Sequence, residues 1–206
     1  MAVVTISRQY GAGGLSVAPA LADALGFRLI DRQITEEAAR RMGVDPEMAL
    51  SRDERAPALV EEIGMALAAG TPQFDVGRSS EVDDRILAEN SRAVMESLGD
   101  AGGFVILGRG GQAALKGRPD AFHLSLVGER PDRIRRVARS RGISEKEAAA
   151  RCDRVDADRA AYVRKFYGVD IRDPLLYDVV LNTTRLGVDG ATDVALAAVR
   201  RKLALR

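Results

Sequence analysis

AVVTISRQYGAGGLSVAPALADALGFRLID, residues 2–31, reads as a strand, a glycine turn, a helix and a second strand. Residues 2–7 carry Val3, Val4 and Ile6 with no polar alternation, which suits a strand buried on both faces. Gly11, Gly13 and Gly14 follow. Val17, Ala18, Leu21, Ala22 and Leu25 then recur at helical spacing, and Gly26 closes the helix. Residues 27–30 form a second strand that ends at Asp31. Strand, loop, helix and strand in this order predict a parallel sheet, because a parallel neighbour needs a crossover.

The same patterns extend outward. Strands are expected at 104–107, 121–127 and 177–182, which makes five. The fold class is α/β: a five-stranded parallel sheet with helices on both faces and the first strand central. Helices are expected at 131–141, at 144–166 with Ser144 and Glu147 as a capping box, and at 189–205. No strand pattern occurs between residues 43 and 100. Residues 35–42 read as helix, and two amphipathic stripes follow. One holds Leu59, Val60, Ile63 and Leu67, the other Ile86, Leu87, Val94 and Leu98. Gly70 to Gln73 and residues 77–80 read as loop. We expect one domain over 1–206, with a core at 1–42 and 101–206. Residues 43–100 would be a helical insert near the carboxyl ends of the strands.

Composition limits the function classes. Of 206 residues, 46% are apolar, which is ordinary for a globular chain. No run approaches the ~20 apolar residues that span a bilayer, and the N-terminus reads as a strand rather than a signal peptide. Cys152 is the one cysteine, so no intramolecular disulfide can form. A cytoplasmic location and no membrane partner are expected. Net charge is +1, so no nucleic-acid partner is expected either. The cations are nevertheless uneven: 27 are Arg and 4 are Lys, and ten of the arginines lie between Arg130 and Arg164. Codon bias accounts for the total but not for the positions. Arginine forks grip phosphate oxygens in pairs, which lysine cannot do.

The glycine turn fits two nucleotide motifs imperfectly. As a dinucleotide fingerprint, G-x-G-x-x-G, it would use Gly11, Gly13 and Ser16, with Asp31 twenty residues after Gly11 as the ribose acid. As a Walker loop, G-x-x-x-x-G-K-[ST], with Gly13 as the second glycine, Arg8 takes the first glycine's place. Gly14 then takes the lysine's place and Leu15 the hydroxyl's. A tight connection that binds nothing is the third reading. In both nucleotide readings backbone N–H groups and a helix N-terminus cradle phosphate.

The wider sequence resembles the cytidylate kinase-like family of the P-loop nucleoside monophosphate kinase superfamily. The resemblance rests on TISRQYGAGGLSVAPALADALGFRLIDRQI, VILGRGGQAAL, FHLSLVGERPDRIRRV and YDVVLNTTRLGVDGATDVALAAV. It implies transfer of a phosphoryl group from ATP, with Mg²⁺, to CMP or dCMP. It further implies an insert closing over the acceptor and an arginine-rich lid, about residues 130–166, closing over the donor. Gly11, Ala12, Gly13, Gly14, Leu15 and Ser16 match the phosphate loop. Asp31 and Arg109 match acceptor-site residues, and Arg133, Arg136 and Arg159 stand where the lid arginines stand. Four positions depart: Gly14 replaces the loop lysine, Leu15 the metal-binding hydroxyl, Gly110 the Asp of Gly-Arg-Asp, and Glu37 an acceptor arginine, with Arg40 one turn further on. No protein ligand for a metal is assigned.

Phosphoryl transfer needs positioning and positive charge more than covalent chemistry. Arg8 could supply the missing cation from beside the loop, and the lid arginines could add to it. Structural readings compete at each position. Arg8 could cap the loop or pair with an acid, Asp31 could cap a helix, and Arg133 and Arg136 could line a solvated face. Arg159 could pair with Asp156 or Asp153. His123, in a buried strand, reads as a core residue, and Cys152 as inert. Three functions stay open: a monophosphate kinase, a nucleotide-binding regulator or sensor without turnover, and an NAD-binding oxidoreductase. A hydride-transfer enzyme has no need of the arginine-rich segment.

Overall fold

The computed structural model describes residues 2–31 and 76–205. Its strands are β1 (Val3–Arg8), β2 (Arg28–Ile30), β3 (Phe104–Leu107), β4 (Ala121–Val127) and β5 (Val179–Asn182). Its helices are α1 (Gly14–Leu25), α2 (Val76–Ala101), α3 (Gly111–Ala114), α4 (Arg130–Arg141), α5 (Glu145–Tyr167) and α6 (Thr183–Leu203). The strands form one all-parallel sheet in the order β2-β3-β1-β4-β5, with β1 central. All five expected strands are present within two residues of their expected bounds.

The sheet's two faces differ in character. Val4 and Ile6 of β1, Val105 and Leu107 of β3, and Phe122, Leu124 and Leu126 of β4 point to one face. There they pack with Val17, Ala18 and Leu21 of α1 and Ala191, Ala195 and Val199 of α6. Burying a side chain such as Val17 or Leu21 stabilises the fold by about 1.5–3 kcal/mol. The residues between them, Thr5, Ile106 and His123, lie in register on the other face. Gly111 of α3 comes so close there that a Cβ would sit 3.2 Å from Thr5 Cγ2. Thr5 Oγ1 and His123 Nδ1 hydrogen-bond at 2.7 Å, so His123 is the core residue its strand suggested.

Local signals place the helix ends. Ser144 and Glu147 form the capping box at the start of α5: Glu147 N–H donates to Ser144 Oγ at 3.2 Å, and Ser144 N–H to Glu147 Oε2 at 2.9 Å. Helix α6 starts six residues earlier than expected, because Asn182 Oδ1 accepts the Thr184 N–H at 3.0 Å and caps it. Gly187, at φ 71° and ψ 175°, then breaks the helix, and the segment beyond it is the one the apolar spacing revealed.

One expectation is corrected. Residues 77–80 were expected as loop but lie within α2. Extending a formed helix adds one hydrogen bond per residue, while a single glycine costs only about 1 kcal/mol. Ala88, Ser91, Val94, Met95 and Gly99 of α2 are buried, a helical stripe, whereas Ile86 is exposed. The chain divides into two compact units. One is Met1–Asp31 with Met95–Arg206, which holds the whole sheet; the other is Arg32–Val94, described from Val76 onward. The expected helices at 35–42 and around Leu59 to Leu67, the loop from Gly70 to Gln73, and Arg40 and Glu37 lie outside the described residues.

Candidate functional site

The glycine loop joins the carboxyl end of β1 to the first turn of α1. Gly11 and Gly13 hold φ values of 78° and 81°, a left-handed conformation that glycine adopts without a Cβ clash. Ala12 is fully buried, and its N–H donates to Gln9 O at 3.1 Å, which folds the turn onto itself. No described residue accepts the backbone N–H of Gly11, Gly13, Gly14 or Leu15. Four donors at a helix N-terminus, with the helix dipole behind them, make a cradle for an anion. Leu15 does not close it, being 74% exposed.

Arg8 crosses this loop. A Cβ built at Gly14 would fall 3.0 Å from Arg8 Cγ and 3.5 Å from Cδ, so the arginine's stem lies against the first residue of α1. Its guanidinium ends over Gly108, where an added Cβ would land on Arg8 Nη1. Burial pushes its pKa down to about 9; Arg159 lowers it further, Asp31 opposes the shift and Arg109 adds to it. Burial likewise depresses Arg159. Arg159 beside Arg8 makes the Arg8 charge harder to hold, and a bound anion would offset that.

The acceptor-type residues stand on neighbouring strand ends. Asp31 follows β2, near enough to act on both Arg8 and Arg159. Arg109 follows β3 at φ 59°, between Gly108 at 87° and Gly110 at 71°. A non-glycine residue in that region costs of order 1–3 kcal/mol, and such strain gathers at functional sites. Tyr167, the last residue of α5, donates its hydroxyl to Arg109 O at 3.2 Å. Its ring lies against Gly110, where an added Cβ would meet Cε2 at 2.5 Å. The tyrosine thus fills the space an aspartate side chain would need.

The three arginines of the 130–166 segment do different things. Arg133 is buried and fully engaged: it donates to Gly128 O at 3.0 Å, Tyr10 O at 2.9 Å and Asp156 Oδ2 at 2.7 Å. Asp156 in turn accepts the Tyr10 N–H at 2.6 Å. Arg136 donates to Gly11 O at 2.6 Å and touches Thr183 Oγ1 at 3.5 Å. Arg159 donates to Arg8 O at 2.9 Å and lies 5.7 Å from the Tyr10 ring centroid. These bonds reach the carbonyls of Arg8, Tyr10 and Gly11 and leave the N–H groups of Gly11, Gly13, Gly14 and Leu15 open. Asp156 and Asp153, considered as partners of Arg159, pair instead with Arg133 and with Arg130, each at 2.7 Å.

Gly108, Tyr167 and Asp156 were not singled out as site residues. Gly108 is the glycine of the Gly-Arg-Asp motif and Tyr167 carries no motif; the contacts each makes here come from approaches across more than fifty residues of chain. Burial raises the Cys152 thiol, in keeping with an inert position. Among the described residues no three His, Cys, Asp or Glu side chains gather as metal ligands, and Leu15 offers hydrocarbon where a hydroxyl would be needed. Among the described residues the side chains gather no resident Mg²⁺ site. No helix among them is long and apolar enough to cross a membrane.

The strand order also separates the two nucleotide motifs. In the dinucleotide fold the second strand adjoins the first. Here β3 lies between them, so Asp31 stands two strand spacings from β1, about 10 Å.

A sequence profile described as "Cytidylate kinase-like family" matches residues 3–185. The cytidylate kinase of Methanopyrus kandleri is 29% identical over 202 residues, covering 96% of this chain and 92% of that one. An uncharacterized protein from Eubacterium ventriosum superposes with a TM-score of 0.71 at 19% identity, over 97% of this chain and 98% of that one. A gluconokinase from Sinorhizobium meliloti gives 0.54 at 14% identity, over 98% and 94%. At these identities the two structures speak for the fold alone.

Proposed function

Because this chain belongs to the cytidylate kinase-like family, we propose that it is a nucleoside monophosphate kinase that moves the γ-phosphoryl group of ATP to CMP or dCMP. The observation that carries this reading is one convergence. Four unpartnered N–H groups and the guanidinium of Arg8, with Arg109 and Arg159 beside it, meet at the carboxyl ends of β1 and β3. Open parallel sheets bind ligands at those strand ends.

In the reaction an acceptor phosphate oxygen attacks the γ-phosphorus while the bond from that phosphorus to the β,γ-bridging oxygen breaks. The products are a nucleoside diphosphate and ADP, and the bond electrons leave with ADP. The chain's contribution is to hold both phosphates and to offset the charge between them. The open N–H groups of Gly11, Gly13, Gly14 and Leu15 take the donor phosphates. Arg8 faces the transferred group, Arg133, Arg136 and Arg159 brace the loop, and Asp31 and Arg109 hold the acceptor. Where Mg²⁺ accompanies ATP, the nucleotide's oxygens and water would hold it, and it would offset phosphate charge.

Calorimetry with CMP, dCMP, AMP, UMP, ATP and GTP, followed by a coupled ADP-release assay, tests the reading. Cytidine monophosphates should bind without ATP. Arg109→Ala should weaken that binding by about 1.5–3 kcal/mol through loss of a charge-assisted contact. Tight ATP binding with no monophosphate binding, and no effect of Arg109→Ala, would refute it. It would favour the second reading, a nucleotide sensor without turnover, whose supporting observation is the exposed Leu15 in place of the hydroxyl.

A further inference from the structure

The phosphate loop has no lysine on its helix, yet the stem of Arg8 lies against the first residue of that helix and carries its guanidinium to Gly108. We propose that Arg8, the last residue of β1, is the cation that grips the donor's terminal phosphates, entering from the strand end of the loop rather than the helix end. This rests on the kinase reading above and names how its donor site works.

One motif correspondence and two contacts support it. Arg8 occupies the place of the first glycine in a Walker loop, and Gly14 occupies the place of the lysine. The two are in contact: a side chain at residue 14 would begin 3.0 Å from Arg8 Cγ and 3.3 Å from its Cβ. Either residue 14 bears a side chain or the arginine stem passes there. The guanidinium then comes to rest over Gly108, which has no Cβ to obstruct it. Glycines at 14 and 108 are therefore the two openings that Arg8 requires.

Its electrostatic setting fits a ligand-binding role better than a structural one. A structural arginine resembles Arg133, which is neutralised by Asp156 and spends its donors on backbone carbonyls. Arg8 has Arg159 and Arg109 beside it, offset in part by Asp31, in a setting that resists its charge. Charge kept where it is unfavourable is what an anion site looks like before the anion arrives. Arg159 acts on it indirectly, by fixing the Arg8 carbonyl at 2.9 Å, and is a positioning residue.

A charge-relocation series tests the assignment, using the intact protein, ATP and inorganic tripolyphosphate as probes, and CMP as the control. Arg8→Met removes the charge and keeps the stem. It should weaken ATP and tripolyphosphate binding at least 30-fold while CMP binding stays within about threefold. Gly14→Lys alone should give no gain, because the new side chain meets the Arg8 stem. The double variant R8G/G14K should bind tripolyphosphate at least tenfold better than Arg8→Gly alone, which a merely structural role for Arg8 would not produce. Thermal melts establish that each variant is folded. Triphosphate binding within threefold of wild type in Arg8→Met, or no recovery in R8G/G14K, overturns the inference. Wild type that binds triphosphate through Arg8 yet transfers no phosphoryl group upholds it and removes the kinase reading. Wild type that binds no triphosphate overturns both.

Discussion

Restoring the aspartate of the family's Gly-Arg-Asp motif should damage this protein. Gly110→Asp places a Cβ 2.5 Å from Tyr167 Cε2 and 3.0 Å from Cδ2, inside contact distance of a ring packed at the end of α5. Residue 110 also sits at φ 71°, where a side chain costs of order 1 kcal/mol even for aspartate, which tolerates that region best. Overpacking of a filled site costs about 1–3 kcal/mol. The expected loss is therefore about 2–4 kcal/mol. Urea unfolding should show it as a lower midpoint with an unchanged slope. Tyr167→Ala removes the ring but not the φ strain. A double-mutant cycle should accordingly give about 1–3 kcal/mol of coupling between positions 110 and 167. Gly110→Asp as stable as wild type, or a cycle without coupling, would show that Tyr167 is not what keeps the aspartate out.

Two further predictions concern the frame around the loop. Asp156→Ala leaves buried Arg133 without its carboxylate and frees the Tyr10 N–H, so it should cost about 3–5 kcal/mol in chemical denaturation and lower phosphoryl transfer by displacing the loop; a loss under 1 kcal/mol would contradict the clamp. His123 should make stability fall with acid: burial holds its pKa below the usual value, against Asp178, which raises it, and with Lys202, which lowers it. Its stabilising share is then complete above an unfolded value near ~6.5 and is lost progressively as pH falls from there through the lower folded value. The proton signal of this lone histidine, followed between pH 7.5 and 5 alongside the melting temperature, measures this, and a midpoint above that value would reverse the sign.

The sequence by itself determined the architecture. Runs such as Val3 to Ile6, polar only at Thr5, and the apolar residues 104–107 suit burial on both faces, and glycine punctuation and helical spacing between them call for crossovers. The capping box at Ser144 and Glu147 and the glycine stop at Gly26 were legible for the same reason: their physics is confined to a few neighbouring residues. Stretches 77–80 and 183–188 misled because helix extent is cooperative, and a cap at Asn182 or a glycine within α2 is weighed against the whole helix.

What tertiary structure decided is which arginine does what. Ten arginines between 130 and 164 look alike in one dimension. Folding gives Arg133 to Asp156 and the Tyr10 carbonyl, Arg136 to the Gly11 carbonyl and Arg159 to the Arg8 carbonyl, and it sends Arg8 across Gly14 to Gly108. The absence of an aspartate at 110 was visible in the sequence, but its cause, a tyrosine fifty-seven residues on, was not. Backbone pattern is a local property of the chain. The partner of a long flexible cation is settled by distance and burial among residues that only the fold brings together.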